Sequence, residues 1–329
     1  MDGVPQLLAE VAAFQRSRAI LSGAELDLFT RVSARARPAA ELAGEVGTNE
    51  RALTRLLDCL VTFDLLRKEG GRYHATERGA LLSAEHPQSV LPMVLHQATL
   101  WRSWSLLTET VRHGVNPRLA ELRAARSDAE RAAFLLAMDV VGRDVARVIV
   151  RDLDVRGRRR LLDIGGASGT YTRAFLEQNP GMTAVLFDLA HAIPLARVQL
   201  ERAGLLGRVE LVAGDFYRDE LPCGADLALL SAIIHQNSPA EDLALYRRVH
   251  RALEPGGELL IRDYFMDPSR TAPPRGALFA LNMLVGTPGG DTHTLEEVRD
   301  RLHQAGFVDV RLVRPGDVMD AVVSARKEG

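Results

Sequence analysis

Two apolar runs close this sequence, Val308 to Val313 and Val318 to Ala325, with only Arg314-Pro315-Gly316-Asp317 between them. Four residues cannot hold a crossover helix, so the two strands must be antiparallel neighbours. Upstream the pattern differs. Apolar runs at Arg160 to Ile164, Ala184 to Phe187, Val209 to Val212, Leu227 to Ser231 and Glu258 to Arg262 are separated by helical stretches or loops of crossover length. That spacing predicts a doubly wound, mainly parallel sheet in an α/β fold. Sheets of this kind bind ligands beyond the carboxyl ends of their strands, and Asp163, Asp188, Asp215, His235 and Asp263 all fall on that rim.

The first of these strands runs into Asp163-Ile164-Gly165-Gly166-Ala167-Ser168-Gly169-Thr170 and then a helix starting near Tyr171. Glycines there let the backbone approach a ligand closely. A nicotinamide fingerprint starting at Gly165 needs glycines at positions 167 and 170, which are Ala167 and Thr170, and no phosphate-cradling Gly-Lys-Ser follows. What remains suits an uncharged nucleoside carrying an amino-acid tail, with Asp163 near its amino end. Asp188 closes the second strand, where a carboxylate can accept hydrogen bonds from both ribose hydroxyls. Asp215-Phe216 follows the third, where carboxylate and ring can bracket an adenine.

Residues 7 to 85 read as short helices with a small hairpin. Leu7 to Ile20 is amphipathic, Pro38 opens a helix that Gly47 ends, and Thr48 is placed to cap the next, which carries Leu53, Leu56, Leu57, Leu60 and Val61 on one stripe. Leu65-Leu66-Arg67, the Gly70-Gly71 turn and Arg72 to Ala75 complete a winged-helix-like unit. Such units commonly bind DNA, and Asn49, Arg51, Thr54 and Arg55 could face a groove. Charge argues against it: residues 1 to 90 hold 11 Lys plus Arg against 12 Asp plus Glu, and the whole 329-residue chain has a net charge of −2. Its apolar faces fit pairing with a second subunit better. Residues 88 to 150 read as mainly helical, with Trp101, Trp104 and Met138 available to a substrate pocket. Cys59 and Cys223 show no metal or redox spacing, and no run of about eighteen apolar residues marks a membrane span.

Taken together, the sequence resembles the class I methyltransferases that use S-adenosylmethionine (SAM), specifically the O-methyltransferases of plant caffeic-acid type and their bacterial natural-product relatives. Asp163 to Gly169 resembles that family's glycine motif, Phe187-Asp188-Leu189 its ribose-binding strand end, and Gly214-Asp215-Phe216 its adenine segment. The resemblance implies a Rossmann-like seven-stranded sheet and SAM as cofactor. It also implies a winged-helix-like dimerisation domain over 1–90, a helical linker over 91–150 and a catalytic domain over 151–329. The cofactor set it implies is Asp163, Gly165, Gly166, Gly169, Asp188, Leu189, Gly214, Asp215, Phe216 and Ser231, the last standing where plant members often have a lysine.

Methyl transfer to a hydroxyl needs alignment, exclusion of water and one base. His235, after the fourth strand, resembles the family's catalytic histidine, although His235-Gln236-Asn237 departs from the plant His-Asp-Trp. Imidazole, with an ordinary pKa of about 6.5, suits a phenol near neutral pH. Asp263 resembles the acid that orients it. The second acidic support falls at Thr292, after Pro288-Gly289-Gly290, which leaves the neighbouring Asp291 as its substitute. Phe279, Asn282 and Met283 resemble pocket-lining positions, and with Trp101, Trp104 and Met138 suit a flat aromatic or secondary-metabolite acceptor. The expectation is a cytoplasmic homodimeric O-methyltransferase with a small-molecule acceptor and neither nucleic acid nor membrane as partner. Three alternatives remain open: transfer to carbon or nitrogen, a metal held by His235, Asp263 and His293 for a keto or enol acceptor, and a SAM-sensing or DNA-binding regulator on a degenerate fold.

Overall fold

A computed structural model describes residues 3–125 and 127–329. The chain divides into two units, Met1–Trp101 with Ser127–Val140, and Arg102–Arg126 with Val141–Gly329.

The first unit begins with α1 (Gly3–Glu25) and α2 (Leu28–Ala34), followed by β1 (Arg37–Pro38), α3 (Ala39–Val46), α4 (Glu50–Thr62), β2 (Leu66–Glu69), β3 (Arg72–Ala75) and α5 (Glu77–Ala80). The three strands form one small antiparallel sheet in the order β1-β3-β2, with β2 and β3 joined at Gly70-Gly71. Leu28, Phe29, Leu42, Leu53, Leu57, Leu60 and Tyr73 fill its core, so the predicted apolar stripe on α4 faces inward. The cap of α4 is Asn49, whose side chain accepts from the Ala52 N–H at 3.0 Å; Thr48, expected in that role, lies one residue too early. Helix α1 carries its apolar side outward, with Leu7, Val11 and Phe14 exposed at 60%, 67% and 53%.

One close approach in this unit makes a direct prediction. A Cβ on Gly79 would stand 1.8 Å from the Leu65 carbonyl oxygen, an atom that also accepts from the Thr76 N–H. Gly79→Ala is expected to cost about 1–3 kcal/mol, or more if the turn cannot shift. Calorimetric unfolding would register it as a lowered Tm, and an unchanged Tm would refute the contact.

Helices α6 (Leu91–Trp104), α7 (Leu107–His113), α8 (Leu119–Ala124) and α9 (Asp128–Asp152) follow, and the residues of α6 and α9 are divided between the units. The second unit is then built on β4 (Arg160–Ile164), α10 (Thr170–Gln178), β5 (Thr183–Asp188), α11 (Ile193–Arg202), β6 (Val209–Ala213), β7 (Ala225–Ser231), α12 (Pro239–Ala252) and β8 (Leu253–Asp263). It closes with β9 (Phe265–Met266), α13 (Pro274–Gly286), β10 (His293–Thr294), α14 (Leu295–Gln304), β11 (Phe307–Arg314) and β12 (Ala321–Lys327). The main sheet has seven strands in the order β11-β12-β8-β7-β4-β5-β6. Strands β4 to β8 run parallel, and β12 is antiparallel to both β8 and β11; the connection from β11 to β12 spans residues 315–320, two more than the sequence suggests and still too few for a crossover helix. The two-residue ladder of β9 with β10 had no sequence signal.

Burial explains the layering. Leu162, Ile164, Val185, Leu230 and Ile261 pack on one face against Tyr246 and Val249 of α12 and Val298 and Leu302 of α14. Leu161, Ala184, Leu227, Leu229 and Leu260, their neighbours in the period-two alternation, pack on the other against Ile149 of α9 and Phe175 of α10. The chain order reverses between β4 and β7, which fixes the switch point where a crevice opens. Among the described residues, no helix is long and apolar enough to cross a membrane.

Candidate active site

The rim is organised around the turn after β4. Gly165 has φ +72° and Gly169, the cap residue before α10, has φ +81°, a region that favours glycine. Ala167, at φ +48°, is held there without glycine's freedom, and the holding group is Asp188: its Oδ2 accepts from the Ala167 N–H at 2.7 Å and its Oδ1 from the Leu189 N–H at 2.6 Å. Burial raises the Asp188 carboxyl above the ordinary range. Each oxygen keeps acceptor capacity beyond its backbone bond.

Asp163 lies beneath the turn. It is 1% exposed, and its Oδ2 accepts from the Thr172 N–H at 3.2 Å and the Thr172 hydroxyl at 2.6 Å. These bonds fix the first turn of α10, and burial pushes the carboxyl up to about 6. The Gly166 Cα is correspondingly hemmed in: a Cβ there would stand 2.8 Å from Leu186 Cγ and 3.0 Å from Asp163 Oδ2.

A Cβ on Gly165 would lie 2.6 Å from Ile233 Cδ1 and 3.6 Å from a ring carbon of Phe216. The bare turn, Ile233 and the ring of Phe216 therefore converge on one cradle, with Asp188 at the end of β5 beside it. A nucleoside fits this set, because an apolar face and an anionic acceptor are what a base and a ribose need. Gly214 lets the chain pass the Phe187 ring, 2.4 Å from where its Cβ would be. Asp215 accepts from the Tyr217 N–H at 2.9 Å. Leu189 is exposed at the lip, and the Ser231 hydroxyl accepts from Arg262 Nε at 2.7 Å.

His235 sits on a single 3-10 turn, Ile234–Gln236, entered through Ala232 at φ +58°. Its Nδ1 lies 2.9 and 3.0 Å from the two Asp263 oxygens, and Asp263, 1% exposed, also accepts from the Tyr264 N–H at 2.8 Å. A carboxylate beside Nδ1 selects the tautomer with that nitrogen protonated and leaves Nε2 as the acceptor. Among the described residues nothing bonds Nε2. The ring of Phe279 stands perpendicular to the imidazole at 4.8 Å and limits its rotation.

The structure corrects the expected acidic support. Asp291 is half exposed and pairs with Arg270, 3.4 Å away, and no bond joins it to His235. Thr292 is buried, its carbonyl accepting from Arg270 and its N–H donating to Asp291 Oδ1 at 2.7 Å. The metal trio is corrected too: His293 turns its Nε2 to the Ile234 carbonyl at 3.3 Å and to Asp242 at 3.4 Å. Among the described residues, no three His, Cys, Asp or Glu side chains form a group suited to a metal. Asp242 is the acid the sequence reading missed. It is fully buried on α12, accepts from Asn237 Nδ2 at 3.0 Å, and burial pushes its carboxyl up to about 7. The only cue was the capping box Ser238-Pro239-Ala240-Glu241, which starts α12 and so sets the position of Asp242.

Of the pocket candidates, Trp104 donates its indole N–H to Asn282 Oδ1 at 2.9 Å, and Asn282 shares α13 with Phe279 and the buried Met283. Trp101 and Met138 belong to the first unit, where the Trp101 ring lies 6.4 Å from that of Phe14.

Comparison with known proteins gives the family. An O-methyltransferase domain matches residues 104–308, and an O-methyltransferase dimerisation domain matches residues 10–85. The tetracenomycin polyketide synthesis 8-O-methyltransferase TcmO of Streptomyces glaucescens is 32% identical, covering 94% of this chain and 93% of its own. The 3-hydroxy-5-methyl-1-naphthoate 3-O-methyltransferase of Streptomyces sahachiroi is 30% identical over 94% of this chain and 91% of its own. The crystal structure of human N-acetylserotonin methyltransferase in complex with SAM superimposes with a TM-score of 0.84 at 26% identity, covering 100% of this chain and 99% of that one. These matches, which run through both units, show that the chain belongs to the family of SAM-dependent O-methyltransferases and uses SAM as its cofactor.

Proposed function

We propose that this enzyme methylates a hydroxyl of a small aromatic acceptor, with His235 as the general base. The observation that carries the reading is the His235–Asp263 pair, whose unbonded Nε2 lies on the same rim as the glycine turn. When bound, SAM supplies a methyl group activated by its sulfonium for in-line displacement. Gly165, Gly166, Gly169, Gly214, Asp188, Leu189, Asp215 and Phe216 hold it, and Asp163 acts from below by fixing the turn. Asp263 keeps the imidazole oriented and stabilises it once Nε2 has taken the acceptor's proton. Phe279 confines the ring and screens it from water. Asn282, its oxygen engaged by Trp104, keeps its amide N–H groups for an oxygen of the acceptor.

The relatives support an aromatic hydroxyl, because one is named for a naphthoate 3-O-methylation and another for the 8-O-methylation of a polyketide. Labelled SAM offered with a panel of hydroxylated naphthoates and polycyclic phenols, and with their amine counterparts, tests the acceptor class. Label on the amines alone would overturn the hydroxyl reading.

The same proposal includes a homodimer formed through the N-terminal unit, supported by the dimerisation-domain match and by the outward apolar side of α1. Leu7→Asp combined with Val11→Asp is expected to convert a dimer to a monomer in light scattering at micromolar concentration. A dimer that persists would remove α1 from the interface.

A further inference from the structure

Behind His235 runs a chain of polar side chains, leading from the exposed Tyr217 into the interior, that the proton-transfer step does not use. The Tyr217 hydroxyl donates to Asn237 Oδ1, and Asn237 Nδ2 donates to Asp242 Oδ1 at 3.0 Å. Asn237 and Asp242 are both fully buried, so an amide with both ends bonded cannot turn without stranding a donor. The second Asp242 oxygen lies 3.4 Å from His293 Nε2 and 3.9 Å from Arg301, hydrogen-bonded to neither, so Asn237 holds the carboxyl by its first oxygen. The turn that bears His235 is thus gripped on both flanks, at the Ile234 carbonyl by His293 and at Asn237 by Tyr217 and Asp242.

The other end of the chain reaches the cofactor segment. Tyr217 directly follows Asp215-Phe216, donates its backbone N–H to Asp215 Oδ1, and holds its ring 4.5 Å from that of Phe216. Arg248 fixes the loop by donating to the Tyr217 carbonyl at 3.1 Å and the Asp219 carbonyl at 2.9 Å.

We propose that Tyr217, Asn237 and Asp242 form a positioning relay that tightens the His235 turn when the adenine end of the cofactor site fills. The inference rests on the reading of Asp215 and Phe216 as the adenine bracket and of His235 as the base. Tyr217 and Asn237 are positioning residues, because neither reaches the reacting atoms. A purine held by Asp215 and Phe216 restrains Tyr217, and Tyr217 restrains the amide two residues beyond the base. Such coupling is reciprocal, so an ordered His235 turn also favours the closed adenine bracket.

Amide hydrogen exchange read by mass spectrometry tests it, with S-adenosylhomocysteine (SAH) as the probe. In the unaltered protein, SAH is expected to slow exchange both in a peptide covering residues 163–170 and in one covering 232–238, the second by roughly tenfold, the scale of one local hydrogen bond. Tyr217→Phe removes only the hydroxyl. It is expected to keep the protection of 163–170 while losing that of 232–238. Asp242→Asn keeps an oxygen for Asn237 and is expected to retain both. Protection of 232–238 that survives in Tyr217→Phe overturns the relay. So does SAH binding to the unaltered protein without any slowing at 232–238. If SAH protects neither peptide, the cofactor reading falls and the relay falls with it.

Discussion

Replacing His235 with alanine is expected to lower methyl transfer by about 10²- to 10⁴-fold, the range a positioned general base contributes, while SAH still binds with an affinity close to that of the unaltered enzyme. Both halves follow from the geometry. Among the described residues nothing bonds Nε2, and Asp263 fixes the imidazole through Nδ1, so removing the ring deletes the proton acceptor. None of the contacts that hold the glycine turn, from Asp188 to Ala167 and Leu189 or from Asp163 to Thr172, passes through His235. Asp263→Asn separates orientation from basicity: the asparagine matches the carboxylate in shape, but it can offer Nδ1 an N–H as readily as an oxygen. A loss in rate with the SAH affinity unchanged is expected there as well. Turnover with a phenolic acceptor and calorimetric titration with SAH give the two numbers. An undiminished rate in His235→Ala would refute the base assignment, and a rate lost only together with SAH binding would make the histidine structural.

Much of the sheet was legible in the sequence because strand register is a local property. The continuous apolar runs of β4, β5 and β7, buried on both faces, and the short connection before β12 leave little freedom of topology, so the acidic strand ends had to share a rim. Supports that come from across the fold were not legible. Asp291 stood next to the expected position, but Arg270, twenty-one residues away, reaches it and turns it outward. Asp242 reads as a polar position in the first turn of a helix, where a carboxylate is ordinarily solvated. Only the packing of α12 beneath the His235 turn buries it. The error of one residue at the cap of α4 has a similar origin, since Thr48 and Asn49 both carry a capping oxygen and the choice depends on where the preceding turn releases the chain.

Loss of cofactor affinity is the expected result of Asp188→Ala, by about 10²-fold or more in the SAH dissociation constant. The estimate rests on two hydrogen bonds to a charged acceptor, each worth roughly 1.5–3 kcal/mol. Asp188 has a double task. Its oxygens hold the Ala167 and Leu189 N–H groups, and in the proposed site they also accept from the ribose hydroxyls. A cycle with an SAH analogue lacking the 2′ and 3′ hydroxyls separates the two. The unaltered enzyme is expected to bind the analogue far less tightly than SAH, whereas Asp188→Ala, already without the acceptor, is expected to bind the two alike. Discrimination that persists in Asp188→Ala would place the ribose elsewhere. The pH dependence has a definite sign. Burial raises the Asp188 carboxyl above its ordinary range, and protonation removes the acceptor, so SAH affinity is lost as the pH falls through that raised value. The loss therefore begins at a higher pH than an exposed aspartate would allow. In Asp188→Ala this acid limb is expected to shrink to what remains from the buried Asp163, pushed up to about 6, whose bonds to Thr172 fix the turn from beneath.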